Sequence, residues 1–185
     1  MRRLVVIVYL VELFFLFLMW NMYSYLIHRF SHIHFKGNIL MWIHMAHHQV
    51  EYVKDNDNNG FVLPHWSQYL FWFGTFRESL DVWISVAPLV PLMIFKPEFG
   101  IPIFILVYIY ESTISEHLLD HNPRITDKKL TKFFAWGQYH LVHHHFYKKN
   151  YAFIFTLWDS VFNTSKNKAQ PGPIVKERLV FGIRN

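Results

Sequence analysis

The stretch Leu4-Val-Val-Ile-Val-Tyr-Leu-Val-Glu-Leu-Phe-Phe-Leu-Phe-Leu-Met-Trp-Asn-Met-Tyr-Ser-Tyr-Leu-Ile27 runs without a break into His28-Arg-Phe-Ser-His32. Only Glu12, Asn21 and Ser24 interrupt its apolar character. At ~20 residues per bilayer crossing, the run is long enough to span a membrane as one helix. Arg2 and Arg3 precede it, as they would precede a secretory signal. A signal core is shorter and ends at small residues, whereas this run ends at histidines, so a membrane helix is expected.

His28 and His32 open a series. Ten of the 13 histidines fall into four clusters: His28 and His32; His44, His47 and His48; His117 and His121; His140, His143 and His144. Residues three and four apart share a helix face, so each cluster aims two or three imidazoles at one point. Neutral imidazole is the commonest protein metal ligand. A lone pair of this kind is more often surface or core histidine, but four in one chain point to a polyhistidine metal centre.

The chain has 185 residues, 52% hydrophobic and 19% aromatic, with charged residues at 17%, a balance expected of a membrane protein rather than a soluble domain. No cysteine is present, which excludes disulfides, thiolate metal sites and cysteine nucleophiles. The net charge of +5 comes from residues outside the apolar runs. It suits membrane topology and anionic headgroups, so no nucleic-acid partner is expected.

Further along, residues 38–53 read as a short helix capped by Asn38, followed by a polar loop from Lys54 to Gly60. Residues 61–79 read as an interfacial segment. Asp81–Phe95 and Ile101–Ser115 read as the arms of an apolar hairpin turning at Lys96-Pro97-Glu98-Phe99-Gly100. Pro88 and Pro91 should kink the first arm. Pro102 suits the first turn of the second, which should run on through His117 and His121 to a stop at Asn122-Pro123. Residues 127–147 read as one amphipathic helix capped by Thr126. The fold expected is all-α, with about three membrane helices and a cytosolic helical cap carrying the histidines. The membrane-embedded domain is placed at 1–165 and a tail at 166–185.

If 4–27, 81–95 and 101–116 each cross, all four clusters share one side. Every Lys and Arg except Arg2, Arg3 and Lys96 lies on that side. The positive-inside rule then places it in the cytosol.

Ten imidazoles shared between two metals give about five each, with room for an open position. Imidazole suits Zn, Cu, Fe and Ni alike. A lipid-facing site meets unactivated C–H bonds, whose oxidation needs redox chemistry that zinc lacks. This favours iron with O2 as co-substrate, although zinc can displace Fe(II) in purified protein. Glu116, Asp120 and Asp159 are candidates to orient ligating imidazoles, as is Glu51. A solvated acid or helix cap is an equal reading for each. His145 could replace His144 as ligand or stand behind it, and His34 and His65 fit no cluster. Glu12 and Glu111 are acids within apolar runs and hence functional candidates.

The ordered motifs His28-x3-His32, Ile43-His44-Met-Ala-His47-His48, His117-x3-His121 and His140-x2-His143-His144 resemble the fatty acid hydroxylase/sterol desaturase superfamily. So does the following Asn150-Tyr151-Ala152-x2-Phe155-Thr156-x-Trp158-Asp159-x2-Phe162-x-Thr164. The resemblance covers roughly residues 20–165. The His143-His144-His145 run is most similar to methylsterol monooxygenases, and the third box to fatty acid 2-hydroxylases. Departures are a single helix before the first box and Asn163 where glycine is usual.

The resemblance implies a membrane-embedded di-iron oxygenase. Its two Fe ions would be held by the ten clustered histidines. It would hydroxylate, oxidise or desaturate a membrane lipid, with electrons from NAD(P)H through an external donor, cytochrome b5 or a reductase. An endoplasmic reticulum address follows for a eukaryotic host. The competing readings are an inactive metal-binding scaffold, a metal transporter and a b-type cytochrome. The last two need histidines along or across the spans rather than gathered on one side.

Overall fold

A computed structural model describes residues 2–49, 65–122, 124–126 and 129–166, apart from the side chains at positions 49, 116 and 117. Glu51, the polar loop at 54–60, Pro123 and the tail beyond 166 lie outside the described residues. The elements are α1 (Arg2–Ser31), α2 (Ile39–Gln49), a 3-10 turn (Trp66–Leu70), α3 (Phe76–Val86), α4 (Leu89–Phe95), α5 (Pro97–Ile109), a π-helix (Tyr110–Asp120), α6 (Leu130–Phe133), α7 (Gln138–His145) and α8 (Leu157–Val161). No strand occurs among the described residues; Phe134 and Phe155 form one isolated bridge. The all-α expectation holds.

Helix α1 and the segment Pro97–Ser115 are each long and apolar enough to cross a membrane. The α3–α4 pair, bent by 42°, makes a third if it is one span. Leu4–Val8, Leu10, Val11, Phe14 and Phe15 of α1 are all exposed. Such a surface is stable only against lipid or another apolar partner, and the chain is an integral membrane protein.

The hairpin packs on α1 by a device that only the structure shows. Pro88 breaks the helix between α3 and α4, and its missing N–H leaves the Ile84 carbonyl without a helical partner. Tyr23 of α1 donates its hydroxyl to that carbonyl at 3.2 Å. Trp20 Nε1 donates to the next one, Ser85 O, at 2.9 Å. Pro102 lies inside α5, not in its first turn, because α5 begins at Pro97. It frees the Glu98 carbonyl in the same way, and Tyr9 Oη donates to it at 2.7 Å. In lipid an unpaired carbonyl costs several kcal/mol, so Tyr9 and Tyr23 bind α1 to the hairpin at the points its prolines weaken.

The expected five-residue turn is also shorter than read. Only Lys96 separates α4 from α5. Gly100 permits this tight return: a Cβ there would lie 2.4 Å from Met93 N. Trp20, Val86, Leu89, Ile103, Val107, Tyr110 and Ile154 form the core between these helices.

Two further expectations are corrected. The segment read as interfacial already begins α3 at Phe76, because Thr75 and Glu78 form a reciprocal capping box. Residues 127–147 are not one helix. Helix α6 ends at Phe133, Phe134 is extended, Ala135 and Trp136 belong to no regular element, and Gly137 turns the chain with φ +54° into α7. Gly137 N donates to Leu119 O at 2.8 Å and Gln138 N to Ile125 O at 3.1 Å. A Cβ on Gly137 would meet Ile125 at 2.5 Å, so this close crossing requires glycine. Asn38 caps α2 as expected, accepting from Met41 N at 3.1 Å.

Candidate metal centre

Four elements end at one place. The first cluster closes α1, the second lies on α2, His121 caps the π-helix, and α7 carries the fourth. Nine imidazoles converge into two groups: His28, His32, His44, His48 and His143 in one; His47, His121, His140 and His144 in the other. Within each group the ligand atoms lie within 4.8 Å of one another. The side chains of His117 and Glu116 lie outside the described residues.

The Nε2 atoms crowd together at distances a shared ion would bridge. His28 and His143 are 2.8 Å apart, His143 and His48 3.1 Å, and His44 and His48 3.0 Å. In the second group His121 and His144 are 3.0 Å apart, His144 and His47 3.1 Å, and His144 and His140 3.2 Å. The two groups adjoin, with the His48 and His144 rings 4.4 Å apart between centroids.

The opposite ring nitrogens explain why the Nε2 lone pairs face inward. His28 Nδ1 donates to Tyr151 O at 2.8 Å, and His143 Nδ1 to Lys149 O at 2.7 Å. A carbonyl can only accept, so each ring carries its proton on Nδ1 and offers Nε2 as a lone pair. His44 Nδ1 meets Asp81 Oδ2 at 2.8 Å, the same arrangement with a carboxylate. Second partners of this kind fix ring orientation and raise ligand basicity.

Burial, with nearby histidines adding to it, holds His47 down to about 3. The same causes push His48, His140, His143 and His144 well below the ordinary imidazole value. These rings are therefore neutral at physiological pH, the form that ligates. His32 Nε2 and His140 Nδ1 are buried without a hydrogen-bond partner. An all-nitrogen donor set, with the Nε2 of His32 buried and unpartnered in the first group, fits borderline metal ions such as iron or zinc.

Asp159 is fully buried but acts one step removed from the rings. Its carboxylate accepts from Tyr151 N, Ala152 N, Tyr139 Oη and Thr164 Oγ1, at 2.6–2.9 Å. It thereby orders the very peptide whose carbonyl holds His28. Burial raises its pKa, partly offset by those hydrogen bonds. Asn150 completes the same staple, donating to Tyr139 O and accepting from Lys166 N. Asn163 has φ +54°, a conformation open to asparagine as to glycine, so the turn is kept.

Asp120 accepts from Tyr110 Oη at 2.7 Å, and Trp136 Nε1 donates to that same hydroxyl. His145 is exposed, packs edge-on against Phe146, and belongs to neither group; His144 takes the place in question. His34 and His65 are exposed and also outside the groups. Glu111 is buried, with Ser115 Oγ donating to it at 3.3 Å. Glu12 is exposed on α1. Asp81 was not singled out from sequence, although an acid opening an apolar arm was a signal available to be read. The two backbone carbonyls left no side-chain signal at all.

No curated protein and no solved structure matches the chain. A family model described as fatty acid hydroxylase matches residues 13–164. The match runs from within α1 to Thr164 and takes in every histidine cluster, so the chain belongs to the fatty acid hydroxylase family.

Proposed function

We propose that this protein is a membrane-bound di-iron oxidoreductase that uses O2 to hydroxylate, oxidise or desaturate a sterol or fatty acyl chain. The observation that carries this reading is the paired histidine groups at the end of a lipid-exposed helix, with the inward lone pairs fixed from behind. His28, His32, His44, His48 and His143 would hold one ion. His47, His121, His140 and His144 would hold the other, and His117 is a further ligand candidate. Bound iron supplies O2 activation, which no side chain in this chain could provide. In a hydroxylation one oxygen atom enters the lipid, and the other leaves as water with two protons and two electrons. Those electrons would come from NAD(P)H through cytochrome b5 or a reductase.

The protein's own part is to aim nine rings, with His47, His48, His140, His143 and His144 kept neutral, and to place them where a hydrocarbon can arrive from the bilayer. A cytosolic centre fits the basic residues: Lys96, at the hairpin tip, lies toward the Tyr9 end of α1, with Arg2 and Arg3 and away from the histidines. In a eukaryotic host, the endoplasmic reticulum is the expected membrane.

Metal analysis of gently solubilised protein should find near two ions per chain. Lipid mass spectrometry of cells with and without the protein should show an O2-dependent product. A one-oxygen gain on acyl chains would mark a fatty acyl substrate, and altered C4-methyl sterols a sterol one. His47→Ala and His143→Ala should lose metal and product together. Stoichiometric metal with no O2-dependent product, even with reductase supplied, would overturn the enzyme reading in favour of a metal-binding scaffold.

A further inference from the structure

The segment after the last histidine cluster folds back alongside α1. Phe155 packs edge-on against Phe17 with centroids 5.9 Å apart, and Phe153 against Trp20 at 5.7 Å. Phe162 stacks on Tyr25 at 5.3 Å, and Tyr25 Oη meets Thr164 Oγ1 at 2.9 Å. Residues 153–164 thus run beside α1 from the level of Phe17 to that of Tyr25.

At 1.5 Å per residue, Phe17 lies about 16 Å along the axis from His28. A hydrocarbon core of about 30 Å covers ~20 residues. Even if it starts at Leu4, the first residue of the apolar run, it reaches about Tyr23 and leaves Phe17 some 9 Å inside. Phe155 shares that depth.

The outer side of this segment is apolar. Phe133 of α6 is 63% exposed and Val161 of α8 60%, with Leu157 and Phe162 exposed beside them. A cavity of about 450 Å³ opens between the two short helices, lined by Phe133, Phe134, Phe155 and Leu157, with Lys132 and Ser160. Below it the exposed Leu10 and Phe14 of α1 continue the same apolar surface, through the Phe17–Phe155 contact. Lys132 lines the cavity and Lys129 is exposed one turn before it, and long lysine side chains there can carry their charge up to acidic lipid headgroups.

We propose that α6 and α8 form a ledge immersed in the leaflet nearest the histidines. The bilayer lipid is its partner, and an acyl chain fills the cavity between the two helices. The surface is continuous with the lipid-exposed face of α1, reaches hydrocarbon depth at Phe155 and is rimmed by positive charge. These features distinguish a lipid partner from a soluble one. The inference rests on the membrane span of α1 and not on any redox chemistry, so it can fail while the oxygenase reading stands, and the reverse.

The chain contains no cysteine, so each introduced cysteine is a unique probe. Phe133→Cys, Leu157→Cys and Val161→Cys would be made in the full-length protein in vesicles of phosphatidylcholine and phosphatidylserine. Val11→Cys on the exposed face of α1 serves as the lipid reference, and Lys148→Cys as the aqueous one. The expected result is that ledge cysteines react with a membrane-impermeant maleimide at least tenfold more slowly than position 148. A fluorophore attached there after solubilisation should be quenched by brominated acyl chains, as at position 11, once reconstituted.

Labelling as fast as at position 148 would overturn the proposal. So would slow labelling without bromolipid quenching, which would mean that protein covers the ledge, as in a second copy of the chain. Retained metal content in each variant reports that the fold survives substitution. Val161→Ser, which lies outside the core, gives a milder second probe: it should weaken vesicle-dependent thermal stabilisation while leaving the melting temperature in detergent unchanged. Equal stabilisation by vesicles in the wild type and this variant would count against the ledge.

Discussion

Asp81 offers the sharpest test of how the centre is organised. Three ligands of the five-histidine group are held from behind at Nδ1, two by backbone carbonyls and one by a side chain, Asp81 on His44 at 2.8 Å. Only the third contact can be altered without moving the backbone. Losing such an outer partner typically weakens metal affinity by about 10–100-fold, equivalent to about 1.4–2.7 kcal/mol. Asp81→Asn keeps an accepting oxygen but loses the charge, so it should fall at the lower end of that range. Asp81→Ala leaves the His44 N–H without its partner and should fall at the upper end. The direct hydrogen bond of Asp81 goes to His44 of the first group, so the second group should keep its ion. Competition against a graded chelator, read by metal analysis per chain, should therefore show two steps. The variant's first ion should be lost about 10–100-fold more readily and its second at the wild-type position. Unchanged affinity in both variants, or equal loss of both ions, would refute the assignment of Asp81 to one group.

Three further outcomes follow from the same structure. His47, His48, His140, His143 and His144 are neutral when folded, their pKa values lowered by loss of solvation within the cluster. An unfolded histidine titrates near ~6.5, so below that pH the unfolded chain binds more protons and stability is lost as pH falls. The melting temperature of chelator-stripped protein should hold level from pH 8 to 7 and drop steadily toward pH 5; a flat profile would contradict the neutral cluster. Asp159→Ala strands four buried donors and should cost more than about 3 kcal/mol, seen as a large loss of thermal stability even in metal-free protein. Gly100→Ala drives a methyl into the Leu92–Met93 backbone and should cost about 1–3 kcal/mol or more. Ile101→Ala, one residue on at an exposed position, should cost much less in the same melting assay.

Several structural features were legible before any coordinates. The apolar run at 4–27, the Asn38 cap and the kink at Pro88 follow from local rules of length, hydrogen bonding and ring closure, and the structure carries all three. Others were misread for a common reason. The break between α6 and α7 depends on Gly137 crossing the turn at Leu119–Ile125. The early return at Lys96 depends on Gly100 facing Met93. In both cases a backbone met across a turn decides, and the pattern of apolar and polar side chains does not report it.

The histidine centre shows the same division. Sequence alone determined that the imidazoles come in four helical sets, because i, i+3 and i+4 spacing is a property of one helix. It could not determine how those sets are shared out. His47 departs from His44 and His48, and His143 from its neighbours His140 and His144, to serve different groups. Adjacent residues on a helix point about 100° apart, so a short cluster can serve two points, and which ring meets which depends on how four helices cross. The fixed protons on His28 and His143 were likewise invisible, since backbone carbonyls at Tyr151 and Lys149 hold them. Every residue has such a carbonyl, and only the tertiary fold aims it.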